Sequence, residues 1–364
     1  MKAWRISEHG DLTHLKQVEV PSPAPGPMEA LVQVKTVGLN HLDLWVLRGV
    51  ADHHFPLPLI PGCDVCGTLE ALGPGSEEAL AKRQLGLGSE VILNPGTSCG
   101  GCEPCLNGLD PLCRSYGILG ETQDGGCAEK IVVPVANIIQ KPGNLSAIEC
   151  AALPIPYLTA WTMLVRKAQL RAGEIILIQA GGSGVSVAAI QIAKLLGATV
   201  ITTVGSTGEL TGKLNDKVKK AQALGADHVI EYSQTPFREE VQRYLKSLGK
   251  KGCDVVLDHI GADTFQESLK CLTWGGRFVT CGATSGGEVS LDLKALFFKN
   301  LSLLGSTMGS KGDLIRVIEL AQKKKLQPVI DTVLPLSRLP EAFERLTQRK
   351  VFGKVVLTSD EINL

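Results

Sequence analysis

The run EIILIQA (174–180), its continuation AGGSGVS (Ala180–Ser186) and the apolar stretch GVSVAAIQIAKLLG constrain this chain more than any other feature. A short apolar segment rich in isoleucine reads as a buried strand, and the glycines after it allow a tight turn directly into a helix. The alternation then repeats through TVITTV (199–204), NDKVKKAQALG, DHVIEY (227–232), FREEVQRYLKSLG, DVVLDHIG (254–261) and TFQESLKCLTWGG to RFVTCGA. Uniformly apolar strands separated by helices predict a parallel sheet covered on both faces, a doubly wound α/β domain.

In that setting the glycine turn has a chemical meaning. Gly181, Gly182, Ser183, Gly184 and Val185 open a helix whose first N–H groups are unpaired and whose N-terminus carries partial positive charge, which suits a dinucleotide pyrophosphate. Ser186 stands where the common fingerprint has its last glycine, and a merely tight strand-to-helix turn is the alternative. An acidic residue closing the second strand would hold the ribose 2′-hydroxyl of NAD. Here TVITTV runs into Gly205 and Ser206, Lys217 follows in the next helix, and Tyr232 closes the third strand. A small donor, a cation and a phenol suit a 2′-phosphate, so NADPH is expected over NADH, with Lys217 alternatively one more solvated lysine of NDKVKK. The segment GSTGELTGKLNDK (205–217) reads as a longer loop and a helix start.

The first third has a different texture. LVQVKTV (31–37), SEVILNPG (89–96) and EKIVVPV (129–135) are short β-branched runs between Gly and Pro punctuation, the pattern of an irregular β domain. Within it, Cys99, Cys102, Cys105 and Cys113 form CxxCxxCx7C in a lobe of about residues 95–115. The spacing lets one lobe wrap a tetrahedral ion, and four thiolates leave no open coordination position. One structural zinc per chain is therefore expected. An unmetallated loop and an iron–sulfur cluster are the alternatives.

Composition excludes several classes. Lys plus Arg equals Asp plus Glu at 37 each, so nothing electrostatic points to nucleic acid or an acidic membrane. Neither 150–165 nor 175–193 offers the about 20 continuous apolar residues of a membrane span. The N-terminal residues show no signal-peptide apolar core, so the cysteines are expected reduced, in a soluble cytoplasmic protein.

The order of these features resembles the medium-chain dehydrogenase/reductase superfamily. The resemblance is nearest to its quinone oxidoreductase (zeta-crystallin-like) branch and the structural-zinc relatives called zinc-binding alcohol dehydrogenases. It rests on GLNHLDLWVLRG (38–49), PLIPGCDVCGTLEALGPG (58–75), NPGTSCGGCEPC, YGILGETQDGGCAE, ALPIPYLTAW, QAGGSGVSVAAIQIAKLLGA, GATSGG and FGKVVL. It implies a GroES-like domain at 1–154 and 306–364 enclosing a Rossmann domain at 155–305. It also implies a homodimer or tetramer acting on a small carbonyl or quinone.

At the positions of that family's two-cysteine, one-histidine catalytic zinc site, this chain reads Asn40, then Cys63 before Asp64, then Ile155 or a neighbour. Cys63 and Asp64 are at most two ligands. The resemblance therefore implies an NADPH-dependent reductase of quinones, enones or related conjugated carbonyls that works without catalytic zinc. It places Thr159 and Gly282, Ala283 and Thr284 on the nicotinamide side and Lys354 near the cofactor. Asn40, positioned with Asp43, is the expected substrate donor and Tyr157 a proton donor. Helix capping by Asn40 and Asp43, and packing by Tyr157, are the plainer roles. His41, His53, His54 and His259 read as loop or strand-end residues. Two other functions fit: a zinc alcohol dehydrogenase or aldehyde reductase with a remodelled Cys63/Asp64 site, and a non-catalytic NADPH-binding protein.

Overall fold

A computed structural model describes residues 1–205, 211–233 and 235–360 of the 364. The chain divides into two compact units, one formed by Met1–Leu158 with Gly309–Leu364 and the other by Thr159–Met308. The helix Pro154–Trp161 runs through the first division, so no linker marks it.

The first unit is built on a seven-stranded sheet. Along it lie Ile330–Pro335, Lys354–Thr358, Glu29–Gly38, Asp64–Leu72, Glu90–Leu93 and Ile138–Gln140, with Lys130–Pro134 paired to Glu29–Gly38 off this path. Alternation in Glu29–Gly38 buries Val32, Val34 and the rest of one face against Leu44, Val46, Leu59 and Phe343. Two registers matter for the chemistry. Gly38 pairs with Asp64 on one side and with Val356 on the other, so the ends of three strands distant in sequence meet at one point. Gly38 has to lack a side chain there, because a Cβ would lie 2.0 Å from the Ala151 carbonyl oxygen.

The second unit is the α/β domain. Its strands are β1 (Ile175–Ile178), β2 (Thr199–Val204), β3 (His228–Glu231), β4 (Cys253–Leu257), β5 (Leu272–Thr280) and β6 (Ser302–Gly305). They lie in the order 3-2-1-4-5-6 and every pair is parallel. β1 is buried at all four positions, as its unbroken apolar run requires. The order reverses beside β1, and in such sheets ligands bind outside the carboxyl ends of the strands at that point.

One expectation needs correcting. The helix read through TFQESLKCLTWGG ends earlier, at Lys270, and β5 begins at Leu272. Gly275 adopts φ +73°, and the register shifts between Cys253/Leu272 and Val255/Arg277, so Trp274 is carried out of the ladder to 69% exposure. A bulge absorbs residues that a helical pattern would have counted as one more turn.

Candidate active site and metal lobe

At the meeting point of the three strand ends, Asn40, Asp64 and Lys354 form one cluster. Lys354 Nζ donates to Asp64 Oδ2 at 2.9 Å, to Asn40 Oδ1 at 2.7 Å and to the Leu39 carbonyl at 2.6 Å. Those three bonds use all three ammonium protons. Asn40 Nδ2 donates to the same Asp64 oxygen at 2.9 Å, and the other oxygen accepts the Ile155 N–H at 2.8 Å. Asp64 and Lys354 are buried, whereas Asn40 stays half-buried. A buried ion pair is tolerable only with its remaining lone pairs and protons satisfied, and this one meets that condition.

Asp43 supports the cluster from below. Its oxygens accept the N–H of Asn40 at 2.7 Å and of Gly62 at 2.8 Å, so it caps the helix His41–Arg48 and pins the turn before Cys63. Burial, opposed by those two hydrogen bonds, pushes its carboxyl up to about 6. Cys63 lies against it, Sγ 3.9 Å from Oδ1, and burial raises that thiol well above its ordinary value.

Three assignments change as a result. Asp43 offers no face to a substrate and acts by positioning Asn40. Tyr157 is fully buried and donates its hydroxyl to the Gln327 carbonyl at 2.5 Å, so it packs and does not deliver protons. Lys354 gives its ammonium protons to Asp64, Asn40 and the Leu39 carbonyl, a holding role that its place in FGKVVL did not show. Asp64 is the residue that the sequence underrated, since nothing nearby in the chain shows its partner 290 positions away.

Two of the residues at the positions of the family's catalytic zinc have nothing to offer a metal. Ile155 brings no side-chain donor, and Asn40 is committed to Asp64 and Lys354. Among the described residues, the one group of three or more candidate ligands lies elsewhere.

That group is Cys99, Cys102, Cys105 and Cys113, whose sulfurs all lie within 4.8 Å of one another. Cys102–Cys105 and Cys99–Cys105 separations are 3.5 and 4.0 Å. Zinc–sulfur bonds of about 2.3 Å in a tetrahedron require sulfurs about 3.8 Å apart, so the four thiols fit zinc. The backbone amides of Gly101 and Cys102 hold the Cys99 thiol down to about 6, while Cys102, sharing protons with its three neighbours, is pushed up. Asp110 accepts the Lys311 N–H at 2.8 Å and ties the lobe to the helix Lys311–Gln322.

In the second unit the glycine turn leads into α1 (Gly184–Leu195). Gly181 donates to the Thr203 carbonyl at 2.7 Å, and a Cβ there would lie 2.4 Å from Thr202 Oγ1. Ser183 caps the helix, accepting the Ser186 N–H at 3.1 Å. Gly182, Ser183, Gly184 and Val185 remain half-buried, so the N-terminal amides face an accessible surface, and the turn fits an anionic pyrophosphate. Ser186 proves suited to its place: it is buried and its hydroxyl donates to the Gln179 carbonyl at 2.7 Å.

Tyr232 is 45% exposed and its ring covers Gly205, where a Cβ would lie 2.3 Å from the phenol oxygen. Lys217 lies half-buried on the helix Thr211–Ala223. Ser206 lies outside the described residues. Thr159 is buried, Gly282 and Thr284 are half-buried, and Ala283 is exposed in the turn after β5.

A model of the zinc-binding dehydrogenase family matches residues 184–323, and one of the alcohol dehydrogenase GroES-like domain matches residues 26–143. A solved NAD-dependent alcohol dehydrogenase is 46% identical, with a TM-score of 0.89 over 98% of this chain and 99% of that one. Acryloyl-coenzyme A reductase of Sulfurisphaera tokodaii is 30% identical over 94% of this chain and 96% of its own. Quinone oxidoreductase-like protein 2 of Bos taurus is 30% identical over 94% and 88%. With both domains matched and relatives alike along nearly the whole length, this chain belongs to the zinc-binding alcohol dehydrogenase family of the medium-chain dehydrogenase/reductase superfamily, and is an NAD(P)-dependent oxidoreductase.

Proposed function

We propose that this oxidoreductase is of the quinone oxidoreductase-like branch and reduces quinones, enones or related conjugated carbonyls with NADPH, without a catalytic zinc. The Asn40–Asp64–Lys354 cluster carries the reading, because residues that would have to gather around a metal are tied to one another by an internal ion pair. Bound nicotinamide supplies the hydride. Conjugated acceptors need little Lewis-acid help, since the incoming charge spreads through the conjugated system to oxygen.

Asn40 is the group that orients the acceptor. Its Oδ1 faces an ammonium and its Nδ2 a carboxylate, so the carboxamide cannot flip without setting like against like. One amide hydrogen goes to Asp64. The other has only a 3.4 Å contact with the Gly38 carbonyl and is the one a substrate oxygen can take. Asp43, Asp64 and Lys354 hold Asn40 in place, and the final proton comes from solvent. Two relatives support the substrate class by their names, an acryloyl thioester reductase and a quinone oxidoreductase-like protein.

NADPH is preferred because Gly205 and Tyr232 lie together at the ends of β2 and β3, with a cation, Lys217, in the next helix. The four-cysteine lobe holds one structural zinc. A homodimer is supported by the outer edge of β6, which pairs with no strand among the described residues and lies close in sequence to exposed Leu293, Phe297 and Phe298. The absence of any described helix long and apolar enough to cross a membrane is in keeping with a cytoplasmic enzyme.

The name of the 46% identical structure favours a second reading, alcohol oxidation at a remodelled Cys63/Asp64 zinc site. Its cost is ionising a thiol that burial holds protonated. The test is oxidation of NADPH and NADH, in parallel, across quinones, enones, aldehydes and alcohols, with zinc counted per chain. Turnover of conjugated acceptors with one zinc is expected. Two zincs with alcohol turnover would establish the second reading, and tight NADPH binding with no turnover would make the chain a non-catalytic NADPH-binding protein.

A further inference from the structure

His259 stands in the turn after β4, and its Nε2 lies 3.0 Å from Ser183 Oγ and 3.0 Å from Ser186 Oγ. The ring is half-buried, and burial lowers its basicity, which favours a neutral imidazole. The hydroxyl protons decide its tautomer. Ser186 gives its one proton to the Gln179 carbonyl, so its oxygen can only accept from a third group. The 3.0 Å approach of Nε2 is favourable when that nitrogen carries hydrogen. Ser183 Oγ then sits between two donors, the imidazole N–H and the Ser186 N–H. Ser183 donates its own hydroxyl proton to Ser186 Oγ at 3.0 Å, a side-chain acceptor that it can exchange for an incoming anion.

The same turn reaches a second part of the expected cofactor surface. Ser285 donates its N–H and its hydroxyl to the Ile260 carbonyl at 2.7 and 2.9 Å, and the Thr284 N–H approaches the His259 carbonyl at 3.5 Å. Beneath it Asp258, buried, accepts the Ile260 N–H at 2.9 Å and the Ser268 hydroxyl at 2.7 Å. Ser268 in turn accepts from Gln179, the residue whose carbonyl holds Ser186. The ring is therefore held on a fixed turn, tied to the end of β5 through Ser285 and the Ile260 carbonyl, and it reaches the turn after β1 through Ser183 and Ser186.

We propose that His259 is a positioning residue for dinucleotide binding: its Nε2–H fixes the Ser183 and Ser186 hydroxyls so that the Ser183 hydroxyl proton and the first amides of α1 face the cofactor pyrophosphate. This rests on the nicotinamide-dependent reading above. Losing the imidazole frees the Ser183 rotamer and costs about one hydrogen bond of affinity, near tenfold. It leaves Asn40 and its cluster untouched, so turnover at saturating cofactor stays level.

The test is NADPH affinity by fluorescence titration of wild type, His259→Ala and His259→Gln, together with apo thermal stability and steady-state KM and kcat. His259→Ala should raise Kd and KM for NADPH about tenfold, with kcat within about twofold and the apo melting temperature within a few degrees. His259→Gln, whose amide N–H can reach the same oxygens, should recover most of the affinity. Unchanged Kd in His259→Ala, a fall in kcat with Kd unchanged, or a Gln variant no better than Ala would overturn the proposal. A wild type that binds neither NADPH nor NADH would instead overturn the cofactor reading beneath it.

Discussion

Lys354 and Asp64, 290 residues apart, form an ion pair at 2.9 Å with side chains 3% and 0% exposed. Asn40 bridges them, its Oδ1 on the ammonium and its Nδ2 on the carboxylate. An isolated charge in that place would be costly, so the pair stands or falls together.

Lys354→Met should therefore leave Asp64 uncompensated and destabilise the protein by about 3–5 kcal/mol. Lys354→Met with Asp64→Asn should be more stable than the single Lys354 variant, because the orphaned charge is gone. Urea unfolding of the four proteins of the cycle checks this, and strictly additive losses would refute the coupling. Both variants should lose turnover with conjugated acceptors, since Asn40 is no longer held.

Replacing Cys102 by serine should release the zinc. One equivalent per chain is expected in wild type and close to none in the variant, with a lower melting temperature and an NADPH affinity little changed. Metal analysis beside thermal scanning makes the comparison, and a full zinc equivalent in Cys102→Ser would remove that residue from the ligand set.

Asp43 gives the protein an unusual pH dependence. Burial raises its carboxyl from 3.8 unfolded to about 6 folded, so the folded state binds more protons between those values. This group's contribution is thus full below about 4 and is lost as pH rises through about 6, a change on the order of 3 kcal/mol. Wild type should take up close to one more proton on folding at pH 5 than Asp43→Asn does. Matching slopes of stability against pH in the two proteins would show that Asp43 titrates normally.

The outer edge of the α/β sheet supplies the oligomer test. Phe297 and Phe298 are 61% and 63% exposed on the helix Leu293–Phe298, which immediately precedes the edge strand β6. A dimer is expected by light scattering, and Phe297→Asp with Phe298→Asp should make it a monomer. A wild-type monomer across the micromolar range would contradict the dimer reading.

Local features were the legible ones. The strand, glycine turn and helix of 174–195 and the four cysteines of 99–113 each complete their chemistry within about twenty residues, so spacing alone exposes them. The doubly wound sheet followed from the repeat of buried strands between helices, because a two-faced parallel sheet leaves that pattern in any sequence. The end of the helix near Lys270 was not legible, since the bulge at Cys253–Val255 belongs to strand pairing and not to the local run of residues.

The side chains of the site were decided elsewhere. Asn40, Asp64 and Lys354 come together only because Gly38 pairs with Asp64 and with Val356 in one sheet. Tyr157 and Asp43 looked like chemistry in the sequence, and burial turned both into supports. His259 looked like a strand-end residue, and the parallel order of β1 and β4 set it against the two serines of the glycine turn. The sequence by itself determined where the strand–glycine turn–helix unit and the four-cysteine lobe form, because both are made of neighbours. Only the tertiary structure decided what each remaining polar side chain does, because its partners are fixed by strand register across hundreds of residues.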